Sequence, residues 1–221
     1  LRCSRGRKHC EINMSELGIK CVLFDFGDVL CRAQKDSCIK EMITLSGISE
    51  SDFSRAFFED RSDYDQNLLD GRAYWKRLLD RQNISLSEET IDRLIALDLE
   101  SWFAVDDRMI TLAFELQAAG IAIGVLSNMP IEHAVAYRKG HAWMERFDHL
   151  FLSAEFGLVK PTSEIYEYVL DRVNCNANEI LFVDDKEENL VGAAKLGIRG
   201  YHYTRERSPG DLAAHFGLGS L

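Results

Sequence analysis

The sequence predicts an α/β protein: a doubly wound parallel sheet with an inserted helical subdomain. Three observations lead there. Five short apolar runs, at 21–26, 121–126, 149–152, 180–183 and 199–203, have the length and content of buried strands. Helical periodicity fills each gap between the last four, and strand alternating with helix marks a parallel sheet. The first gap differs. It spans positions 27–120, 94 residues, where a crossover needs about a dozen.

The elements follow in order. Val22-Leu23-Phe24 opens the sheet and runs into Asp25, Gly27 and Asp28. The segment 33–103 is patterned as helix: Ile39, Met42 and Ile43 share one face, as do Tyr74, Trp75, Leu78 and Leu79, then Ile91, Leu94 and Ile95. Gly71 and the stretch 85–87 read as breaks between these helices. The predicted division is thus a core of residues 14–32 and 104–221, with a helical insertion at 33–103 hinged near 31–34 and 103–107. A helix over 109–119 stops at Gly120, and the second strand ends in Ser127-Asn128. Pro130 suits the first turn of a helix over 131–145. Lys160 and Pro161 follow the third strand, ahead of a helix over 163–173. The fourth strand ends in Asp184-Asp185. Acids then open a helix over 187–196, with Gly197 past its end.

Composition removes several function classes. The chain carries 26 Lys+Arg against 36 Asp+Glu, a net charge of -10, which argues against a broad nucleic-acid interface. No apolar run reaches the roughly 18–20 residues of a membrane-spanning helix. Six cysteines without a C-x-x-C pair read as reduced thiols, the expectation for a cytoplasmic protein. Residues 1–13 hold Arg2, Arg5, Arg7 and Lys8 against Glu11 and have no apolar stretch after them. They read as a disordered or non-native leader. A metal site from Cys3, His9 and Cys10 matches no standard zinc spacing.

Four strand ends carry polar clusters, and in open parallel sheets the carboxyl ends of strands share one crevice. Asp25, Asp184 and Asp185 would repel one another there unless a cation sat among them. Hard carboxylate oxygens without His or Cys suit Mg2+. Ser127, Asn128 and Lys160 offer a hydroxyl, an amide and an ammonium to a phosphoryl group. A carboxylate beside them is placed to act as a nucleophile. Taken singly, each cluster has a structural alternative. Asp25 suits a turn, Ser127-Asn128 a helix cap, and Asp184-Asp185 the dipole of the helix that follows.

Together the four clusters resemble the motifs of the haloacid dehalogenase-like (HAD) superfamily. Val22-Leu23-Phe24-Asp25-Phe26-Gly27-Asp28-Val29-Leu30 is similar to its first motif and Leu126-Ser127-Asn128 to its second. Gly157-Leu158-Val159-Lys160-Pro161 is similar to its third. Phe182-Val183-Asp184-Asp185 with Asn189 and Gly197 is similar to its fourth. The resemblance covers about residues 19–205 and implies a Rossmann-like core. The insertion resembles a helical cap of the C1 type. Leu69-Asp70-Gly71 with Tyr74-Trp75 is like the branch that holds sugar-1-phosphate phosphatases and the phosphatase domain of soluble epoxide hydrolases. The resemblance implies Asp25 as nucleophile and Ser127, Asn128 and Lys160 as phosphoryl-binding groups, Lys160 also balancing the aspartates. It implies Mg2+ held by Asp25, the Gly27 carbonyl and Asp185, with Asp184 directly or through water, and Asn189 bracing the loop. The cap would close over the site.

One position departs from the family pattern. Most phosphatases of the superfamily have an acid/base Asp two residues after the nucleophile, where this chain has Gly27. Asp28 is expected to serve the turn leaving the strand, with proton transfer in place of that Asp as the alternative. The histidines form no metal spacing or triad, Trp75 and Trp102 are expected in a core, and nothing assigns Arg61 or Tyr64 to a substrate. The expected activity is removal of phosphate from a small phosphorylated metabolite, a sugar phosphate first, by a monomer or homodimer. Two alternatives stand beside it: a haloacid dehalogenase, disfavoured by Asp184-Asp185, and a catalytically weakened binding protein, supported by Gly27 alone.

Overall fold

The computed structural model describes residues 18–204 and 209–216. The expected leader at 1–13 lies outside them. Five strands form one parallel sheet: β1 (Cys21–Phe24), β2 (Ala122–Ser127), β3 (His149–Leu152), β4 (Ile180–Asp184) and β5 (Arg199–His202). Their spatial order is β3-β2-β1-β4-β5. The chain thus starts at the centre, winds out one way through β2 and β3, then returns across β1 to β4 and β5. The predicted doubly wound sheet is present, and its order reverses at β1.

Five helices after β1 make up the inserted subdomain: α1 (Asp36–Ser46), α2 (Glu50–Glu59), α3 (Arg61–Asp65), α4 (Gly71–Arg81) and α5 (Glu88–Ser101). Their apolar faces close on a core of their own around Met42, Phe57, Tyr64, Tyr74, Trp75 and Leu94. Side-chain caps start three of them. Ser49 accepts from the Asp52 N–H, Asp70 from that of Ala73 and Ser87 from that of Thr90. The two segments joining this subdomain to the sheet run side by side. Cys31 bridges Val105, the Arg32 N–H donates to the Ala104 carbonyl at 2.7 Å, and that of Asp106 to Leu30 at 2.9 Å.

Alternation along β1 sends Val22 and Phe24 to one face of the sheet and Cys21 and Leu23 to the other. The first face is covered by α6 (Asp107–Ala118) and α7 (Ile131–Gly140), through Met109, Leu112, Leu116 and Tyr137. The second is covered by α8 (Ser163–Leu170) and α9 (Glu187–Ala194), through Ile165, Tyr166, Val169 and Leu190. A last helix, α10 (Pro209–His215), joins the first face through Leu212 and Ala213.

The structure departs from the sequence pattern in two places near the site. The first run was read to Phe26, yet β1 ends at Phe24. There the Asp25 carboxylate accepts the Phe26 N–H at 2.7 Å, and the chain enters a wide turn closed by the Cys31 N–H on the Phe26 carbonyl. Phe26 leaves the strand to stack on Tyr137 at 4.7 Å. The helix read over 131–145 stops at Gly140 and continues as a 3-10 turn, Ala142–Arg146. A side chain at 140 would meet the Phe103 ring at 2.3 Å, so only glycine lets that ring pack against His141.

Candidate active site

Strand register assembles the site. Phe24 lies level with Val125 on one side and Val183 on the other, and the Asp25 N–H donates to the Val183 carbonyl at 2.8 Å. Asp25, Ser127 and Asp184-Asp185 therefore leave adjacent strands at one edge. Lys160 arrives on the loop after β3. Its Nζ donates to three acceptors: Asp184 Oδ2 at 2.7 Å, Asp25 Oδ1 at 2.9 Å and the Leu126 carbonyl at 2.9 Å. Gly192 on α9 permits this approach, since a Cβ there would fall 2.7 Å from the Pro161 carbonyl.

The two expected phosphoryl donors after β2 differ in freedom. The Ser127 hydroxyl has one long contact, 3.4 Å to the Asn128 carbonyl, and is open to a ligand. The Asn128 carboxamide is partly committed. It donates to the Lys160 carbonyl at 2.9 Å and accepts the Lys160 N–H at 2.8 Å, a two-point clamp between the loops after β2 and β3. The second hydrogen of Nδ2 has no partner among the described residues, so a contact from Asn128 to a phosphoryl oxygen can come from that hydrogen or from the main chain. Lys160 likewise has all three donors engaged. It reaches a phosphoryl oxygen only by exchanging one of them.

Charge dominates the floor. Burial pushes Asp25 above the usual carboxylate range; Lys160 pulls against it, and Asp184 adds to it. Burial would depress Lys160, but Asp184 and Asp25 outweigh it and raise it, so the ammonium stays charged. Asp185 is pushed up to about 7 by burial, then by Asp25, Asp184 and Asp28. Asp184 is the most tightly held, accepting the Lys186 N–H at 2.8 Å and the Asn189 amide at 3.0 Å on each oxygen. Asn189 is fixed in turn by Tyr166, whose hydroxyl donates to its carbonyl at 2.7 Å.

These residues fit a hard divalent cation. Asp25, Asp184 and Asp185 each offer an oxygen within 4.8 Å of the others. Three carboxylates face one ammonium, so a dication would balance the cluster, and the donor set is all oxygen, as Mg2+ requires. Asp185 is the freest ligand; the oxygens of Asp184 are already taken.

Above this floor lies a cavity of about 380 Å³. Its walls include side chains that the sequence left unassigned. Trp102, expected in a core, packs against the core and also borders the cavity, whereas Trp75 is fully buried as expected. Phe58, 48% exposed, Met129 and Tyr137 complete an apolar side. Arg61 reaches in from α3, with Nε on Asp65 at 3.1 Å and Nη1 on Asp98 at 2.7 Å. Tyr64 packs on Tyr74 instead of facing the cavity. His133, in the first turn of α7, also lines it, 2% exposed. Asp28 borders it in a left-handed conformation, φ 57°.

Known proteins resemble this chain in sequence and in fold. The chain matches the haloacid dehalogenase-like hydrolase family over residues 19–197. It is 39% identical over 99 residues to a sesquiterpene phosphatase of Aspergillus oryzae, covering 45% of this chain and 50% of that protein. It therefore spans about half the length of that relative. It is 25% identical over 193 residues to D-ribitol-5-phosphate phosphatase of Bacteroides thetaiotaomicron, 83% of this chain and 91% of that one. Among solved structures it resembles a HAD family enzyme from the same bacterium, a variant in complex with magnesium and inorganic phosphate. That likeness has a TM-score of 0.70 at 21% identity, covering 86% of this chain and 96% of the other. Five parallel strands in this order, four polar clusters gathered at one edge and a family match over most of the chain have one reading: the protein belongs to the haloacid dehalogenase-like hydrolases.

Proposed function

We propose that this hydrolase is a Mg2+-dependent phosphatase acting on a small phosphate monoester, with Asp25 as nucleophile. The observation that carries the reading is the floor of the site: a buried carboxylate held by Lys160 within a three-acid cluster. Asp25 presents one oxygen to phosphorus while Oδ1 stays on the Phe26 N–H and Lys160. Attack forms an aspartyl phosphate and releases the alcohol; water then cleaves it and restores Asp25. Ser127 and Asn128 bind the non-bridging oxygens, and Lys160 offsets the charge that gathers on them. Asp25, the Gly27 carbonyl and Asp185 would hold the cation, with Asp184 directly or through water. When bound, the cation supplies neutralisation of phosphoryl charge. The helical subdomain acts as a cap that excludes water and meets the alcohol.

Two alcohols have support. The sugar phosphate expected from the sequence is favoured by the likeness to D-ribitol-5-phosphate phosphatase. An apolar alcohol is favoured by the likeness to a sesquiterpene phosphatase and by the wall of Phe58, Trp102 and Met129. Arg61, the cation that the helical subdomain brings to the cavity, is already bound by two carboxylates, so we read the alcohol as one with a substantial apolar face. The paired acids after β4 favour phosphate over halide chemistry, since a cation cluster has no use in displacing halide.

A panel of monophosphates and 2-haloacids, each assayed with Mg2+ and with chelator, tests the reading. Phosphate release that needs Mg2+ is expected, with Asp25→Asn folded and at least a hundredfold slower. Asp25→Asn activity above a tenth of wild type removes Asp25 as nucleophile. Halide release in excess chelator favours the dehalogenase.

A further inference from the structure

The proposed phosphatase chemistry lacks one part. An alkyl alcohol leaves as an alkoxide unless a proton reaches it, and water attacking the aspartyl phosphate must lose one. Gly27 supplies neither. A Cβ at 27 would lie 3.6 Å from the Trp102 ring, so indole covers the side of the site where the loop after β1 has no side chain. Beside Arg61, Tyr137 and Lys186, four carboxyl or imidazole side chains, the types that ordinarily exchange protons below or near neutrality, line the cavity outside the floor: Asp28, Asp65, His133 and Glu188.

Three of them are poorly placed. His133 turns Nδ1 to the Tyr137 hydroxyl at 3.4 Å and Nε2 toward Asp98 at 3.6 Å, so both nitrogens point into buried neighbours. Glu188 is exposed in the first turn of α9, at the solvent rim. Asp28 raises the pKa of Asp185 by its charge, which places it at the cation end of the cavity.

Asp65 is different. It ends α3 and lines the same cavity as Asp25, Lys160 and Asp185. Its main chain is pinned to the core. The Ser153 hydroxyl donates to its carbonyl at 2.6 Å and itself accepts the Met129 N–H at 2.9 Å. The next residue, Gln66, brings its carbonyl to 3.8 Å from where a Cβ on Gly157 would stand, over the loop that carries Lys160. One carboxylate oxygen is held by Arg61 Nε at 3.1 Å, and the other accepts no hydrogen bond among the described residues. The carboxyl group is thus oriented by one oxygen and free at the other.

We propose that Asp65 is the general acid and base of this site, supplied by the helical subdomain where the loop after β1 has only Gly27. The proposal rests on the phosphatase reading above. In the first half-reaction an Asp25 oxygen bonds to phosphorus, the ester P–O bond breaks, and the Asp65 carboxyl proton passes to the leaving oxygen. In the second, Asp65 carboxylate takes a proton from water as the water oxygen bonds to phosphorus and the P–O bond to Asp25 breaks. Inorganic phosphate leaves, and both aspartates return to their starting state. The surroundings of Asp65 suit both roles. Burial, opposed by Arg61 on its own helix, reinforced by Asp98 on α5 and opposed by Lys186 after β4, holds its pKa up at about 6. Near neutrality a usable share of each form is present.

The test compares leaving groups. Wild type and Asp65→Asn are mixed rapidly, with Mg2+, against 4-nitrophenyl phosphate, whose alcohol departs without a proton, and against an unactivated alkyl monophosphate. Asp65→Asn is expected to keep its nitrophenol burst rate within about threefold. It should lose steady-state turnover and fall at least a hundredfold on the alkyl ester. The wild-type alkyl kcat/KM should decline as pH rises above about 6 while the aryl burst does not, and Asp65→Asn should lose that limb. The wild-type profile reads the proposal even if the variant folds poorly. Equal losses on the alkyl ester and on the aryl burst would mark Asp65 as structural and overturn the proposal. So would the leaving-group signature appearing in Asp28→Asn instead. A wild type that hydrolyses neither ester removes the phosphatase reading itself; one that shows the burst without the Asp65 signature removes only this inference.

Discussion

Gly27 carries more consequence than its size suggests. Its backbone, φ -62° and ψ 131°, lies where any residue is comfortable, and a Cβ would meet Trp102 only at ordinary contact distance. The glycine is therefore not demanded by conformation. Gly27→Asp is expected to fold and to bind the cation as wild type does. Placed on the Asp65→Asn background, it should regain at least tenfold of the alkyl phosphate turnover. Rapid-mixing rates and a thermal melt of the double variant check this; a folded double variant without any regain contradicts it. At this scale the sequence showed Asp25, Ser127, Lys160, Asp184 and Asp185, because each follows a strand and strand ends converge. It could not show that the Asn128 carboxamide turns sideways to clamp Lys160. Nor could it show Trp102, His133 and Asp65 at the cavity, because their positions depend on how the subdomain seats.

The elements themselves were legible where periodicity is strong. Five apolar runs became five strands, since a buried parallel strand needs an unbroken apolar stretch and little else. The turn at Asp25–Leu30 was not, because it is set by the Asp25 carboxylate capping the Phe26 N–H and by Phe26 finding Tyr137. The seat of the subdomain on the core is likewise a matter of single contacts. Asp98 on α5 faces His133 on α7, and Gly71 on α4 gives its N–H to Glu132 at 2.8 Å. Burial, opposed by Asp98 and reinforced by Arg61, lowers His133 to about 4. A histidine titrating lower in the folded than in the unfolded chain contributes fully above about 6.5. That contribution is lost as pH falls toward 4, because the unfolded chain takes up the proton first. The loss amounts to about 3 kcal/mol. His133→Gln should flatten this part of the stability curve, measured by denaturant melts at pH 7 and 4.5. An unchanged slope would mean that His133 is not held neutral.

At the scale of the molecule, charge links the site to stability. The chain carries -10 overall and gathers three carboxylates around one lysine at the end of its central strands. Without a cation this cluster opposes folding. Asp185, raised to about 7, has a folded pKa above its unfolded value, so its effect turns unfavourable as pH rises from about 4 to 7. A cation that binds only the folded chain reverses that, stabilising by about 2.7 kcal/mol at 100 times its Kd. For a protein of this size that is roughly 5–10 °C in Tm. Because the cation must displace the Asp185 proton, its effect should be small at pH 5.5 and full at pH 8. Asp185→Asn removes a ligand and a repelling charge together. In chelator at pH 8 it should melt at or above the wild-type temperature, and Mg2+ should move it little. Melts of both proteins at both pH values, in chelator and in saturating Mg2+, read all of these effects at once. A wild-type shift of equal size at pH 5.5, or an Asp185→Asn variant that responds like wild type, would place the cation elsewhere. An Asp185→Asn variant well below wild type in chelator would mean that the carboxylate holds the loop after β4 together, a role that Asp184 and Asn189 already fill.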